Sequence, residues 1–307
     1  MDVSLQSRFL QNGDKEINLA LTAEQPANVT ATWSMGNARR SETLALAAGA
    51  NTWTIKMPEP LNLDMGAASD IVIDVTDGKR MGLFIIDLCR TRVMHLQDGK
   101  VSGTVTGPAT RPEGAKAADW TLSVLDGKAL LFEADVYDSE IRTDHQWPWG
   151  QDGLQLWLDY RPTKRFADVG LDSDVYMLML HPYEKPRFAV ALRPWLGRGV
   201  YASAVAGGEK TPTGYRCRLS IADGEGQMRR FSKWQDSDLS KRDFLGFALV
   251  QTDLDTGPNG APVSEYNLLH KTQYPHDKYG NTLIIVDLKG KLPGESAINA
   301  HITRLLP

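Results

Sequence analysis

Long apolar runs are missing from this 307-residue chain: the best, 81–86 and 283–286, are strand-sized. A helix crossing a bilayer needs roughly 18 to 20 such residues, so the chain reads as soluble and no membrane partner is expected. Lys and Arg never run longer than pairs such as Arg39-Arg40 and Arg229-Arg230, and the net charge is −4. Nucleic acid and anionic lipid both select a concentrated basic face, so nucleic acid is not an expected partner either. Cysteine is scarce: Cys89 and Cys217 lie far apart with no CxxC, which excludes zinc ribbons and thioredoxin-like redox chemistry and leaves two buried free thiols as the expectation. G-x-S-x-G, HExxH, P-loop and Rossmann fingerprints are absent as well, so hydrolase-elbow, zinc-protease and nucleotide chemistries have no support. The start, Met1-Asp2-Val3-Ser4-Leu5-Gln6, has neither the basic nor the apolar region of a secretory leader. The chain therefore reads as cytoplasmic or as a mature or excised segment.

Period-two alternation is what the chain has in plenty. Hydrophobic residues make up 42% and charged residues 23%, ordinary values for a folded protein of about two domains. Ile17-Asn18-Leu19-Ala20-Leu21, Val29-Thr30-Ala31-Thr32-Trp33, Trp53-Thr54-Ile55-Lys56-Met57 and Ile71-Val72-Ile73-Asp74-Val75 read as half-buried strands, separated by turn signals at Asn12-Gly13, Gly49-Ala50-Asn51, Pro58-Glu59-Pro60 and Asp77-Gly78. Such spacing predicts an immunoglobulin-like β-sandwich over 1–96, most simply a spacer. Residues 97–115, rich in Gly, Pro and polar side chains, read as a linker. Seven further strands follow, at 129–136, 154–159, 175–180, 187–192, 215–221, 245–250 and 283–286. The predicted fold class is thus all-β, two tandem antiparallel β-sandwiches, the second over 116–307 with its last residues a tail packed back on it. One short helix is expected, around Gln227 to Trp234.

Within the second sandwich, a strand ends in Asp135-Val136-Tyr137-Asp138. A loop with Trp147 and Trp149 follows, then Gln151-Asp152-Gly153-Leu154-Gln155-Leu156-Trp157-Leu158-Asp159. This resembles the family 9 carbohydrate-binding modules and their DOMON-like relatives, in which an acidic turn precedes a strand of the form D-x-V-E-[IL]-[FW]-[LIV]-D. Gly214-Tyr215-Arg216-Cys217-Arg218-Leu219-Ser220-Ile221 is similar to that family's GY-x-x-E-x-x-I strand, with Arg218 at the glutamate position. Phe244-Leu245-Gly246-Phe247 followed by Gln251-Thr252-Asp253, and then Tyr279-Gly280-Asn281-Thr282-Leu283, are similar to its later elements. The resemblance covers about residues 116 to 288.

What the resemblance implies is non-catalytic binding of a polysaccharide, an oligosaccharide or a chain end, by an accessory module of an extracellular or periplasmic carbohydrate-active protein. Sugars present apolar C–H faces ringed by hydroxyls, which suits flat aromatics flanked by amide and carboxylate groups. The expected carbohydrate-binding set is Trp149 and Trp147, with Asp152 and Gln155 near the hydroxyls and His270 or Tyr274 opposite, where the family carries a second aromatic. Trp157, alternating with leucines, reads as core. The resemblance also implies structural calcium, for which Asp135, Asp138, Asp172 and Asp174 in turns beside strands are the expected ligands. A rival reading from the enzyme class makes the chain a polysaccharide lyase or glycoside hydrolase using carboxylates with His181 and Tyr183, or with His270, Tyr274, His276 and Lys278. A third makes both sandwiches structural or interaction modules.

Overall fold

The computed structural model describes residues 1–64, 68–106, 116–127, 129–142, 152–159, 175–182, 187–193, 197–221, 239–252, 266–267 and 284–306. Two units divide the chain: Met1–Arg92 with Gly294–Pro307, and Val93–Lys278 with Thr282–Pro293. Among the described residues no helix is long and apolar enough to cross a membrane.

The strands up to Arg92 are β1 (Asp2–Leu5), β2 (Phe9–Leu10), β3 (Glu16–Ala23), β4 (Ala27–Met35), β5 (Ala38–Leu46), β6 (Gly49–Lys56), β7 (Ala68–Thr76) and β8 (Met81–His95), whose last residues pass into the second unit. That unit continues with β9 (Lys100–Thr106), β10 (Lys116–Leu125), β11 (Ala129–Tyr137), β12 (Gly153–Asp159), β13 (Val175–Leu180), β14 (Arg187–Arg193), β15 (Gly197–Thr211), β16 (Gly214–Ile221), β17 (Phe244–Thr252), β18 (Tyr266–Asn267) and β19 (Ile284–Asp287). The last strand, β20 (Ser296–Leu306), belongs to the first unit.

In the first unit β1, β3 and β6 make one antiparallel sheet, and β2, β20, β8, β7, β4 and β5 pair in that order to make the other. Period-two alternation turns one face of each sheet inward. Ile17, Leu19 and Leu21 from the small sheet meet Ala31, Trp33, Ile71, Ile73, Phe84 and Ile86 from the large one in a single core. The C-terminal segment departs from its expected place as a tail on the second sandwich. It pairs with β8 over ten register positions, because Ile298 and Ala300 carry the apolar face of the large sheet onward and are buried in the first unit's core.

In the second unit the pairing order is β9, β10, β11, β16, β15, β14, β13, β12, β17; β18 and β19 share the far edge of β17, and β19 lies parallel to Val93–His95. The two arms of this sheet enclose one core. Phe247 of β17 lies 5.0 Å, centroid to centroid, from Trp120 of β10 and 6.3 Å from Phe132 of β11. The expected linker over 97–115 is corrected in its first part. Asp98 and Gly99 both take positive φ, 50° and 74°, and Gln97 and Lys100 exchange backbone hydrogen bonds, so the chain turns tightly straight into β9, where Val101 and Val105 are buried. Residues 107–115 and the predicted helix at 227–234 lie outside the described residues; the helical piece that is described is a 3-10 turn, Leu239–Lys241. Cys89 and Cys217 are buried thiols outside any disulfide, as expected, and burial pushes the Cys217 thiol well above the ordinary range.

Candidate functional site

Strand register in the second unit collects four chain connections at one end. Gly153 stands opposite Thr252, Leu154 opposite Leu180 and Tyr137 opposite Gly214, and β14 and β15 carry the same polarity from β13 round to β16. The connections 138–152, 181–186, 212–213 and 253–265 therefore all join strands at this end. The expected Trp147 and Trp149 fall within the first of them, outside the described residues.

Two glycines let the strands approach closely here. A Cβ on Gly153 would lie 2.6 Å from the Leu180 carbonyl oxygen and 2.9 Å from His181 Nδ1. At Gly214, where φ is +151°, a Cβ would overlap the Val136 carbonyl oxygen. The Asp-Gly and Gly-Tyr pairs of the two motifs thus answer to backbone packing at this end, whatever else they do.

Polar side chains at the same end are turned inward. Asp152 is fully buried; its amide donates to the Arg142 carbonyl at 2.8 Å and its Oδ2 accepts the Arg142 amide. Its own carbonyl lies 3.1 Å from His181 Nδ1, so that nitrogen carries the proton and donates. Asp138 is buried too, its amide donating to the Thr213 carbonyl at 3.0 Å and its Oδ1 accepting the Glu140 amide at 3.0 Å. Gln155 and Trp157 are each 2% exposed, on the β12 face opposite to Leu154 and Leu156, and the Trp157 indole N–H donates to Gln155 Oε1 at 3.2 Å. Trp157 is thus buried, as its alternation suggests, but not among the leucines that flank it.

His270 and Tyr274 also lie outside the described residues, although both ends of their segment are placed. The chain leaves β18 at Asn267, opposite Val250, and rejoins the sheet at Ile284, opposite Phe247. Val250 is opposite Gln155 on β12. Of the expected carbohydrate set, Asp152 and Gln155 are therefore described, and Trp147, Trp149, His270 and Tyr274 are not.

The calcium expectation fits poorly at Asp135. Arg216 holds both of its carboxylate oxygens, Nε to Oδ1 at 2.7 Å and Nη2 to Oδ2 at 3.2 Å, and this contact holds the guanidinium above its ordinary range. A cation at Asp135 would compete with that pair for the same two oxygens. Asp135 also lies on the outer sheet face, whereas Asp138 is turned inward; Asp172 and Asp174 are outside the described residues. Among the described residues no group of three or more metal-ligating side chains gathers.

The sequence reading missed one feature, a polar groove of about 510 Å³ on that outer face, lined by Ser102, Thr104, Asp119, Thr121, Glu133, Asp135 and Arg216 among others. Asp119 anchors it, accepting from the Tyr137 hydroxyl at 2.6 Å and from Thr104. Alternate polar positions in Asp119-Trp120-Thr121 and Glu133-Ala134-Asp135 signal such a face, but only the pairing of β9, β10, β11 and β16 sets these residues side by side.

No family model matches the chain, and no curated protein matches it. Among solved structures, a carbohydrate-binding module of family 9 from Caldicellulosiruptor kristjanssonii in complex with cellotriose is similar at 15% identity and a TM-score of 0.41, over 65% of this chain and 94% of that one. A family 9 module from the same organism in complex with glucose is similar at 17% identity and a TM-score of 0.39, over 66% and 98%.

Proposed function

We propose that the second unit binds a polysaccharide or its chain end without cleaving it, at the end where the four connections gather. The observation that carries this reading is the register. The segments that carry the sequence resemblance, 152–159, 214–221 and 244–252, form β12, β16 and β17, and β12 pairs with β17 over its whole length. The connection bearing Trp149 enters β12 at its Asp152 end, and the segment bearing His270 and Tyr274 leaves the sheet two strands away from Gln155. In the proposal Trp149 supplies the stacking platform with Trp147 beside it, His270 or Tyr274 closes the opposite side, and the buried Asp152 and Gln155 support that end of the sheet from beneath. The first unit is an immunoglobulin-like spacer, and the setting is extracellular or periplasmic.

Electrophoresis through gels containing each of a panel of polysaccharides, with assays for reducing ends and unsaturated products, tests this directly. Retention by at least one polysaccharide without product release is expected. Product release would overturn the non-catalytic reading in favour of a lyase or hydrolase. Free migration through every gel would overturn carbohydrate binding itself.

A further inference from the structure

We infer that Asp152 is a positioning residue, a clasp that fixes the two ends of the connection between β11 and β12 rather than a group that touches ligand. Among the described residues, three contacts converge on this one residue. Its amide donates to the Arg142 carbonyl at 2.8 Å, its Oδ2 accepts the Arg142 amide, and its carbonyl accepts from His181 Nδ1 at 3.1 Å. Arg142 and Asp152 are therefore joined by one backbone hydrogen bond and one to the Asp152 carboxylate, across the residues between them, and His181 ties the same point to the end of β13. Complete burial removes water as a competitor for the carboxylate, which strengthens the bond it accepts. Gly153 completes the clasp, since any side chain there would press on Leu180 and His181 and lift Asp152 away from them.

The clasp determines where a chain segment starts and stops, and the closure of its two ends is entropy already lost before any ligand arrives. Its consequence for glycan affinity rests on the carbohydrate-binding reading; the clasp itself does not.

Trypsin cleavage after Arg142 reports the clasp without any ligand. Asp152→Ala is expected to be cut at least about tenfold faster than the unaltered chain, while Asp152→Asn, which keeps an acceptor oxygen, stays within about threefold of it. Equal rates for Asp152→Ala and the unaltered chain, with matching circular dichroism, overturn the proposal. Should Asp152→Ala fail to fold, hydrogen exchange at the Arg142 amide of the unaltered chain decides instead. Exchange at least about a hundredfold slower than in a free peptide supports the clasp, and exchange at the free-peptide rate overturns it. Gel retention of the same proteins on a glycan should weaken in parallel with faster cleavage. Loss of retention by the unaltered chain would count against the carbohydrate reading alone.

Discussion

At Gly214 a missing side chain decides whether two strands can meet. The left-handed backbone there and the approach of the Val136 carbonyl leave no room for a Cβ. Gly214→Ala is therefore expected to cost about 2 to 4 kcal/mol, from overpacking against backbone that cannot turn aside. Urea denaturation reads this directly; a change under about 0.5 kcal/mol would show that the β11–β16 pairing yields more easily than its geometry indicates. The residue types at this end were legible in the sequence, their duties less so. Asp152 and Gln155 belong to a motif that suggests hydrogen bonding to sugar, yet both are buried and bonded to protein, Asp152 to Arg142 and Gln155 to Trp157. Asp135 likewise has the look of a turn ligand, and only the pairing of β11 with β16 shows Arg216 opposite it. A single sequence displays charges but not the partners that neutralise them, which is why side-chain type outran side-chain role.

Among the elements, the strands with strict alternation were the readable ones. Ile17 to Leu21 and Ile71 to Val75 fall inside β3 and β7, because one buried face writes itself as every second residue. In β10 Trp120, Leu122 and Val124 alternate, but the Gly- and Pro-rich stretch before it has the composition of a boundary and masks the strand. β20 reads as a tail for a different reason: pairing between residues some two hundred positions apart leaves no local mark. Ile298 is fully buried there, and Ala300 is 1% exposed. Ile298→Ala should consequently destabilise the first unit by about 2 to 4 kcal/mol through the lost transfer free energy and the cavity left behind. The denaturation midpoint of full-length protein checks this, and a midpoint unmoved by the substitution would mean that β20 adds little to that core.

On the scale of the whole molecule, among the described residues the second unit lies in sequence between two stretches of the first, for the chain leaves the first unit along β8 and returns to it at Gly294, ahead of β20. All-β architecture was legible from composition and period; this nesting was not. The second unit carries the segments of the resemblance that form β12, β16 and β17, so the function proposed for the chain stands or falls with it. Calorimetric titration of the unaltered protein and of Trp149→Ala with the polysaccharide best retained in the gels measures that function most directly. The prediction is saturable binding by the unaltered protein, weakened in the variant by about 1 to 3 kcal/mol, the scale of a lost aromatic contact. Equal affinity in the two proteins, or no binding by the unaltered one, would contradict it.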